Sequence, residues 1–277
     1  MNATATLERP AHTAAPVAAP AVVAPVASPN LWAPATAGVE LTVVVPFYNC
    51  GPVVAQTIHA IIATLTAAGI GHEIIAVNDG STDGSQLHVP FLPQVRLIDN
   101  RLNSGKGSAL HQGFAAAQGA WVGFIDADGD IDPAHLATYL GLARGGDHAA
   151  VYADKRHAQS VSGASKVRKL ISMVYSTLVT LLFLLQVKDT QTGCKIIRRD
   201  ALAQLLPHLR EQRFAFDLEF FVAAKAAGIR NLHAAPVALN TAANGSTVTT
   251  NTIVRTLRDT VTILGRHLGG HYRQAAV

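Results

Sequence analysis

With 277 residues, 49% of them hydrophobic and 14% charged, the chain can bury a large core. Two cysteines, Cys50 and Cys194, exclude a disulfide framework or a multi-cysteine zinc site, and no nucleic-acid partner is expected. The net charge of +4 conceals an asymmetry: residues 39–154 carry four Lys/Arg against eleven Asp/Glu, a balance of −7, and residues 155–213 carry eleven against three, a balance of +8. Such an order points to two tasks, a cation held by the first half and an anion or anionic membrane surface met by the second; ordinary surface charge is the plainer alternative.

Residues 1–38 are Ala/Pro-rich, almost uncharged and aperiodic, and read as a disordered tail. They make a poor signal peptide, because no basic start precedes apolar stretches that prolines interrupt. Residues 39–277 then read as one domain. "LTVVVPFYN" (41–49) is a continuous β-branched run, the pattern of a strand buried on both faces. Helical spacing follows over 52–69, with Pro52 near the start and Gly69 at the end. Residues 72–85 read as a strand running into a Gly/Ser/Asp loop, further strands are expected at 95–100 and 120–128, and a small-residue helix over 105–119. This alternation predicts an α/β fold, a mostly parallel sheet with helices on both faces. Ligands in such sheets bind outside the carboxyl ends of the strands, where Tyr48/Asn49, Asn78/Asp79 and Asp126/Asp128 all fall.

The second half is less regular. A basic start at Lys166, Arg168 and Lys169 runs into 18 uncharged residues, Leu170 to Val187. That length is a marginal transmembrane candidate. Its hydroxyl groups favour an amphipathic helix lying on the bilayer, with a buried core helix as the alternative. Residues 189–202 read as turn, short strand and helix start, 214–228 as helix, 233–248 as strand and glycine loop, and 251–268 as a final helix.

Asp126, Asp128, Asp130 and Asp132 stand at every second position directly after an apolar run. Clustered carboxylates repel unless something neutralises them. Asp126 and Asp128 at a strand end can reach one divalent cation together, and Mg²⁺ or Mn²⁺ commonly completes its oxygen shell with substrate phosphates. Asp130 is a candidate third ligand, Asp132-Pro133 reads as a helix start, and the plainer alternative for the whole run is a solvated acidic turn. "GKGS" (105–108) lacks the spacing of an ATPase phosphate loop. Arg168 and Ser172 share a helix face and, with Arg156, suit a phosphate; a solvated basic face is the alternative.

In order along the chain, "VVVPFYN", "VNDGSTDGS", "NSGKGSAL..G", "DADGDIDP", "SKVRKLIS", "KDTQTGCK", "FAFDLEF" and "APVALN....GS" resemble the family 2 glycosyltransferases of the GT-A fold. The likeness covers roughly residues 41–260 and is to the polyprenyl-phosphate hexosyltransferases, the dolichyl-phosphate glucosyltransferase branch above the mannosyl branch. The resemblance implies an inverting transfer of a hexose, UDP-glucose preferred over GDP-mannose, onto a polyprenyl phosphate at the cytoplasmic face of a membrane. The protein would be peripheral or monotopic there, and a homo-oligomer is compatible with this reading. It places Pro46, Tyr48, Asp79, Lys106, Asp126 and Ala127 at the nucleotide and Asp126, Asp128 and Asp130 at Mg²⁺ or Mn²⁺. Arg156, Arg168 and Ser172 fall at the acceptor phosphate, Asp128 and Asp189 at the reaction centre. Gln191, Asp217 and Glu219 fall at the sugar or in support of the site. Two departures concern the donor: Cys50 stands where the family usually has Glu, and Asn78 where it usually has Asp. A non-lipid acceptor, or a non-catalytic nucleotide-sugar-binding scaffold, are the readings to be set against this one.

Overall fold

The computed structural model describes residues 35–161, 166–240 and 250–276, excepting the side chains of 166–172, 250–253 and 274–276. The expected tail at 1–38 lies almost wholly outside these residues, as do the side chains of Arg168 and Ser172 and the glycine loop after Asn240. Seven strands form among the described residues: β1 (Leu41–Phe47), β2 (His72–Asp79), β3 (Val95–Asn100), β4 (Trp121–Ile125), β5 (Ala150–Ala153), β6 (Cys194–Arg198) and β7 (Leu232–Ala235). They make one sheet of order β3-β2-β1-β4-β6-β5-β7. Every pairing is parallel except those of β6, which runs antiparallel to β4 and β5. The helices are α1 (Val53–Ala67), α2 (Lys106–Ala115), α3 (Ala134–Gly145), α4 (Lys166–Phe183), α5 (Arg199–Leu205), α6 (Phe216–Ala226) and α7 (Thr250–Leu268).

The alternation of β1 explains its burial on both sides. Val43 and Val45 face one core with Ile58 and Ile61 of α1 and Leu136 and Leu140 of α3. Val44 faces the other with Leu110 and Phe114 of α2, Leu202 of α5 and Phe221 of α6. Each fully buried side chain of this size contributes about 1.5–3 kcal/mol. β1 pairs with β4 only as far as Val44, so Pro46, which lacks an N–H, lies beyond the end of that ladder.

Strand β4 ends at Ile125, three residues earlier than the expected 120–128, so that Asp126 begins a turn. β5 has no counterpart among the strands expected from sequence; its four residues are too short to show a period. Helix α4 stops at Phe183 and not at the end of the uncharged stretch. No helix among the described residues is long and apolar enough to cross a membrane. Val179 and Phe183 of α4 are buried, while Met173, Val174, Leu178, Leu181 and Leu182 are exposed. α4 leans on α7 through a 3.0 Å hydrogen bond between the Tyr175 and Thr260 hydroxyls. On α7, Val254, Leu257 and Val261 are also exposed, at helical spacing. One face of α4 thus joins the core and the other is an apolar surface.

Candidate active site at the carboxyl edge of the sheet

Two turns after β1 and β2 are knitted together by short polar side chains. Asn49 adopts the left-handed region (φ 49°), and its Oδ1 accepts from the Thr82 amide at 2.8 Å. The Ser85 hydroxyl oxygen accepts from the Cys50 and Gly51 amides, and Ser81 Oγ accepts from the Asn49 amide. Asn78 accepts from the Ser81 amide and donates to Asp99 at 2.6 Å. Tyr48, 48% exposed, is left standing at the edge. Asp79 is buried and its carboxylate accepts from the amides of Ser104 and Gly105. Burial raises its pKa, against the pull of those two amides. The close approach needs Gly80: a β-carbon there would overlap the backbone of Leu102 and Asn103.

Past β4, Asp126 is partly buried, Ala127 is buried and Asp128 is exposed. One Asp128 oxygen accepts from the Asp130 amide at 3.0 Å, and Asp132 accepts from the Ala134 amide at the start of α3. Gly193 packs directly on the Asp126 carboxylate, where any β-carbon would overlap it. Lys106, on α2, places its ammonium 2.7 Å from Asp126 and 3.5 Å from Asp217 of α6. Lys195, on β6, reaches Asp217 at 2.6 Å and donates to the Thr192 carbonyl at 2.9 Å, with its ammonium over the rings of Phe124 and Phe221. Two ammoniums and two carboxylates thus neutralise one another in a row that is buried at Asp217 and Lys195 and opens toward Asp126. Burial opposes charge on Lys106, yet Asp126 and Asp217 hold its pKa above the ordinary lysine value. Burial also pushes Asp217 upward, and the two lysines overcome it, holding its carboxyl below the usual range. At Asp126 burial prevails and the pKa is raised, with Lys106 pulling the other way.

Asp189 is 4% exposed and accepts from the Lys155 and Gln191 amides, each at 3.0 Å, and from the Thr192 hydroxyl. Beside it opens a cavity of about 330 Å³ lined by Tyr152, Asp154, Arg156, His157, Gln186 and Lys188 among others. Buried Asp154 fixes its floor by accepting from the Arg156 amide at 2.8 Å. Asp154, His157, Lys188 and Lys195 were not among the residues expected from sequence; a lysine inside the strand run "CKIIR" was the one available signal. Glu219 is completely buried and both of its oxygens accept from protein donors. Among the described residues no three His, Cys, Asp or Glu groups stand ready to enclose a metal. The donor set at 126–128 is all oxygen and incomplete, which fits a hard divalent cation that takes further ligands from a diphosphate.

A mostly parallel sheet of this order, with an Asp-Ala-Asp turn at its carboxyl edge, is the architecture of the GT-A glycosyltransferases. Comparison with known proteins gives the particular group: residues 42–206 match "Glycosyl transferase family 2", and the chain belongs to that family. It is 31% identical over 202 residues to a dolichyl-phosphate beta-glucosyltransferase of Trichomonas vaginalis, covering 68% of this chain and 60% of that protein. The dolichyl-phosphate beta-glucosyltransferase of Saccharomyces cerevisiae is 28% identical over 207 residues, 66% of this chain and 62% of the yeast protein. The chain thus spans about three-fifths of the length of these two relatives. Among solved structures, mannosyl-3-phosphoglycerate synthase from Rubrobacter xylanophilus superposes with a TM-score of 0.66 at 19% identity, over 85% of this chain and 76% of that one. Glucosyl-3-phosphoglycerate synthase from Mycobacterium tuberculosis, in complex with Mn²⁺, UDP and glucosyl-3-phosphoglycerate, gives 0.63 at 20%, over 84% and 81%. At these identities the structures bear on fold alone.

Proposed function

We propose that the protein transfers a hexose, glucose from UDP-glucose before mannose from GDP-mannose, onto a polyprenyl phosphate at a membrane surface. The observation that carries this reading is continuity. A chain of polar contacts runs from Asp126 through Lys106, Asp217, Lys195 and Thr192 to Asp189, beside a cavity bearing Arg156, His157 and Lys188. A carboxylate edge suited to a metal diphosphate and a cationic pocket suited to a phosphate therefore border one another. Asp126 and Asp128, with Asp130 near, would hold Mg²⁺ or Mn²⁺, which supplies positive charge to the departing diphosphate when bound. Lys106 adds a fixed ammonium at the same place, and preorganised charge of this kind is commonly the largest catalytic contribution. Tyr48 offers an exposed ring to the base, and Pro46 and Ala127 shape the floor beneath it. Arg156, with Arg168 and Ser172, orients the acceptor phosphate. That phosphate's oxygen is already ionised near neutral pH, so no strong general base is needed. Asp189, locked by three donors, with Gln191 bonded beside it, stabilises positive charge developing on the sugar. In-line attack inverts the anomeric centre. The exposed apolar residues of α4 and α7 seat the protein on the cytoplasmic leaflet.

Incubating the protein with Mn²⁺, polyprenyl phosphate in vesicles and a panel of labelled nucleotide sugars tests this. A lipid-linked product from UDP-glucose is expected, a product from GDP-mannose alone would move the donor, and no lipid product from any donor would refute the proposal. A soluble phosphorylated acceptor is the second reading, because the cavity recognises a phosphate and not a lipid chain. Leu181→Glu separates the two: with a lipid acceptor, vesicle binding and turnover fall together, whereas turnover on a soluble acceptor is untouched. A non-catalytic scaffold is excluded if turnover is observed and is lost in Asp128→Asn.

A further inference from the structure

The buried carboxylate of Glu219 belongs to no part of the transfer just described, yet four donors converge on it. One oxygen accepts from the backbone amides of Arg210 and Glu211, both at 2.7 Å. The other accepts from the Tyr272 hydroxyl at 2.6 Å and the Arg266 guanidinium at 3.1 Å. Arg266 also binds the Glu211 carboxylate at 2.8 Å. Arg266 lies on α7 and Tyr272 in the 3-10 turn His271–Ala276 that follows. A carboxylate in a dry interior holds such donors tightly, because leaving any of them unpaired costs the full desolvation of that group.

The segment fastened in this way, 210–213, lies against the turn that leads into α2. Helix α2 follows Gly105 as its N-cap, with no side-chain cap. The first amides of a helix have no partner within it. Here the Gln212 carbonyl accepts from the Ser108 amide at 2.9 Å and does the work of a cap. The contact is too close for any other residue: a β-carbon at Gly105 would overlap the Gln212 carbonyl oxygen, and one at Gly107 the Glu211 carbonyl oxygen. On its other side the turn is held by Asp79 through the amides of Ser104 and Gly105. Residues 104–108, which carry Lys106 to Asp126, are thus gripped between β2 and the 210–213 segment.

We infer that Arg266 and Tyr272 are positioning residues for the donor-facing turn 104–108, acting through Glu219 and the backbone of 210–213. This rests on the reading of that turn as part of the donor site. It makes α7 an element with two sides: the exposed Val254, Leu257 and Val261 face outward, while Arg266 secures the nucleotide edge from within. The C-terminal segment would then be needed for donor affinity although Arg266 and Tyr272 bond to Glu211 and Glu219 and not to the Asp126 turn.

The test reads the turn itself before any donor is added. Hydrogen exchange, followed by mass spectrometry on peptides covering 103–110, is compared in wild type, Arg266→Met, Arg266→Lys, Tyr272→Phe and Glu219→Gln. Glu73→Gln, a buried carboxylate at the far end of β2, serves as a control of similar structural weight. Arg266→Met and Glu219→Gln should speed exchange at 104–108 by about ten-fold, the loss of roughly one charge-assisted hydrogen bond. Tyr272→Phe should speed it less, Arg266→Lys should restore most of the protection, and Glu73→Gln should leave this peptide unchanged. Affinity for UDP with Mn²⁺, by calorimetry, should fall in the same order. Should Glu219→Gln fail to fold, Tyr272→Phe and the Arg266 pair still fix the ranking. The inference is overturned if exchange at 104–108 follows global stability alone, rising as much in Glu73→Gln, or if lysine at 266 rescues no better than methionine. Absence of lipid product in the donor panel would remove the proposed reaction and leave the exchange result standing.

Discussion

Strand β2 carries a buried carboxylate near each end, and the two ends of the sheet treat them differently. At the amino end, Glu73 accepts from the Thr42 hydroxyl at 2.6 Å, the Gln118 amide at 2.7 Å and Arg96 at 3.1 Å. That network is closed: every oxygen has a donor from the protein. At the carboxyl end Asp79 is likewise closed by the 104–105 amides, but the next carboxylates along the edge are not. Asp126 rests on a single ammonium, Asp128 is exposed, and Tyr48 is half exposed. Carboxylates supplied with enough donors hold the fold together, whereas those left short of them keep oxygens that a ligand can use.

Removing charge from each region sharpens the contrast. The largest effect is expected for Asp217→Asn, which leaves Lys195 buried without its carboxylate; urea unfolding should show a loss of about 3–5 kcal/mol. Asp128→Asn should barely change stability, because the side chain is exposed, while transfer falls by about 10²–10³-fold in an assay with labelled nucleotide sugar. A large stability loss there would show that the edge is structural after all. Gly193→Ala should displace the Asp126 carboxylate and cost transfer about 10²-fold, the scale of an ångström of misplacement, with intact cooperative unfolding. Glu73→Gln should cost about 1–3 kcal/mol in the same unfolding experiment and leave turnover per folded molecule unchanged. The smallest effect concerns pH. Burial holds His111, His135, His208, His233 and His267 below the ordinary histidine pKa. Below about pH 6.5 the unfolded chain binds protons that the folded one refuses, so stability is complete above that value and declines as pH falls. Denaturant midpoints between pH 7.5 and 5 check this, and His111→Gln should flatten the decline.

Much of the first half was legible because its signals are local. A β-branched run such as "LTVVV" has few ways to be satisfied other than as a strand covered on both faces, and Asp-Gly-Ser turns mark where strands stop. The second half was less so. β5 is four residues long, too short for a period, and the reversal of β6 leaves no mark on its own composition. Helix α4 was ambiguous in kind: its uncharged run suits a core or an interface, and only packing against α7 decides which residues face where.

The sequence by itself determined the family, the alternating architecture and the acidic turn after β4, since each rests on residues close together in the chain. Tertiary structure alone decided which carboxylates are spoken for. Lys106 meets Asp217 across 111 positions, and Arg266 meets Glu219 across 47. No pattern of spacing encodes such partners, because a buried charge is defined by what surrounds it in space, and its surroundings exist only once the sheet has closed upon its helices.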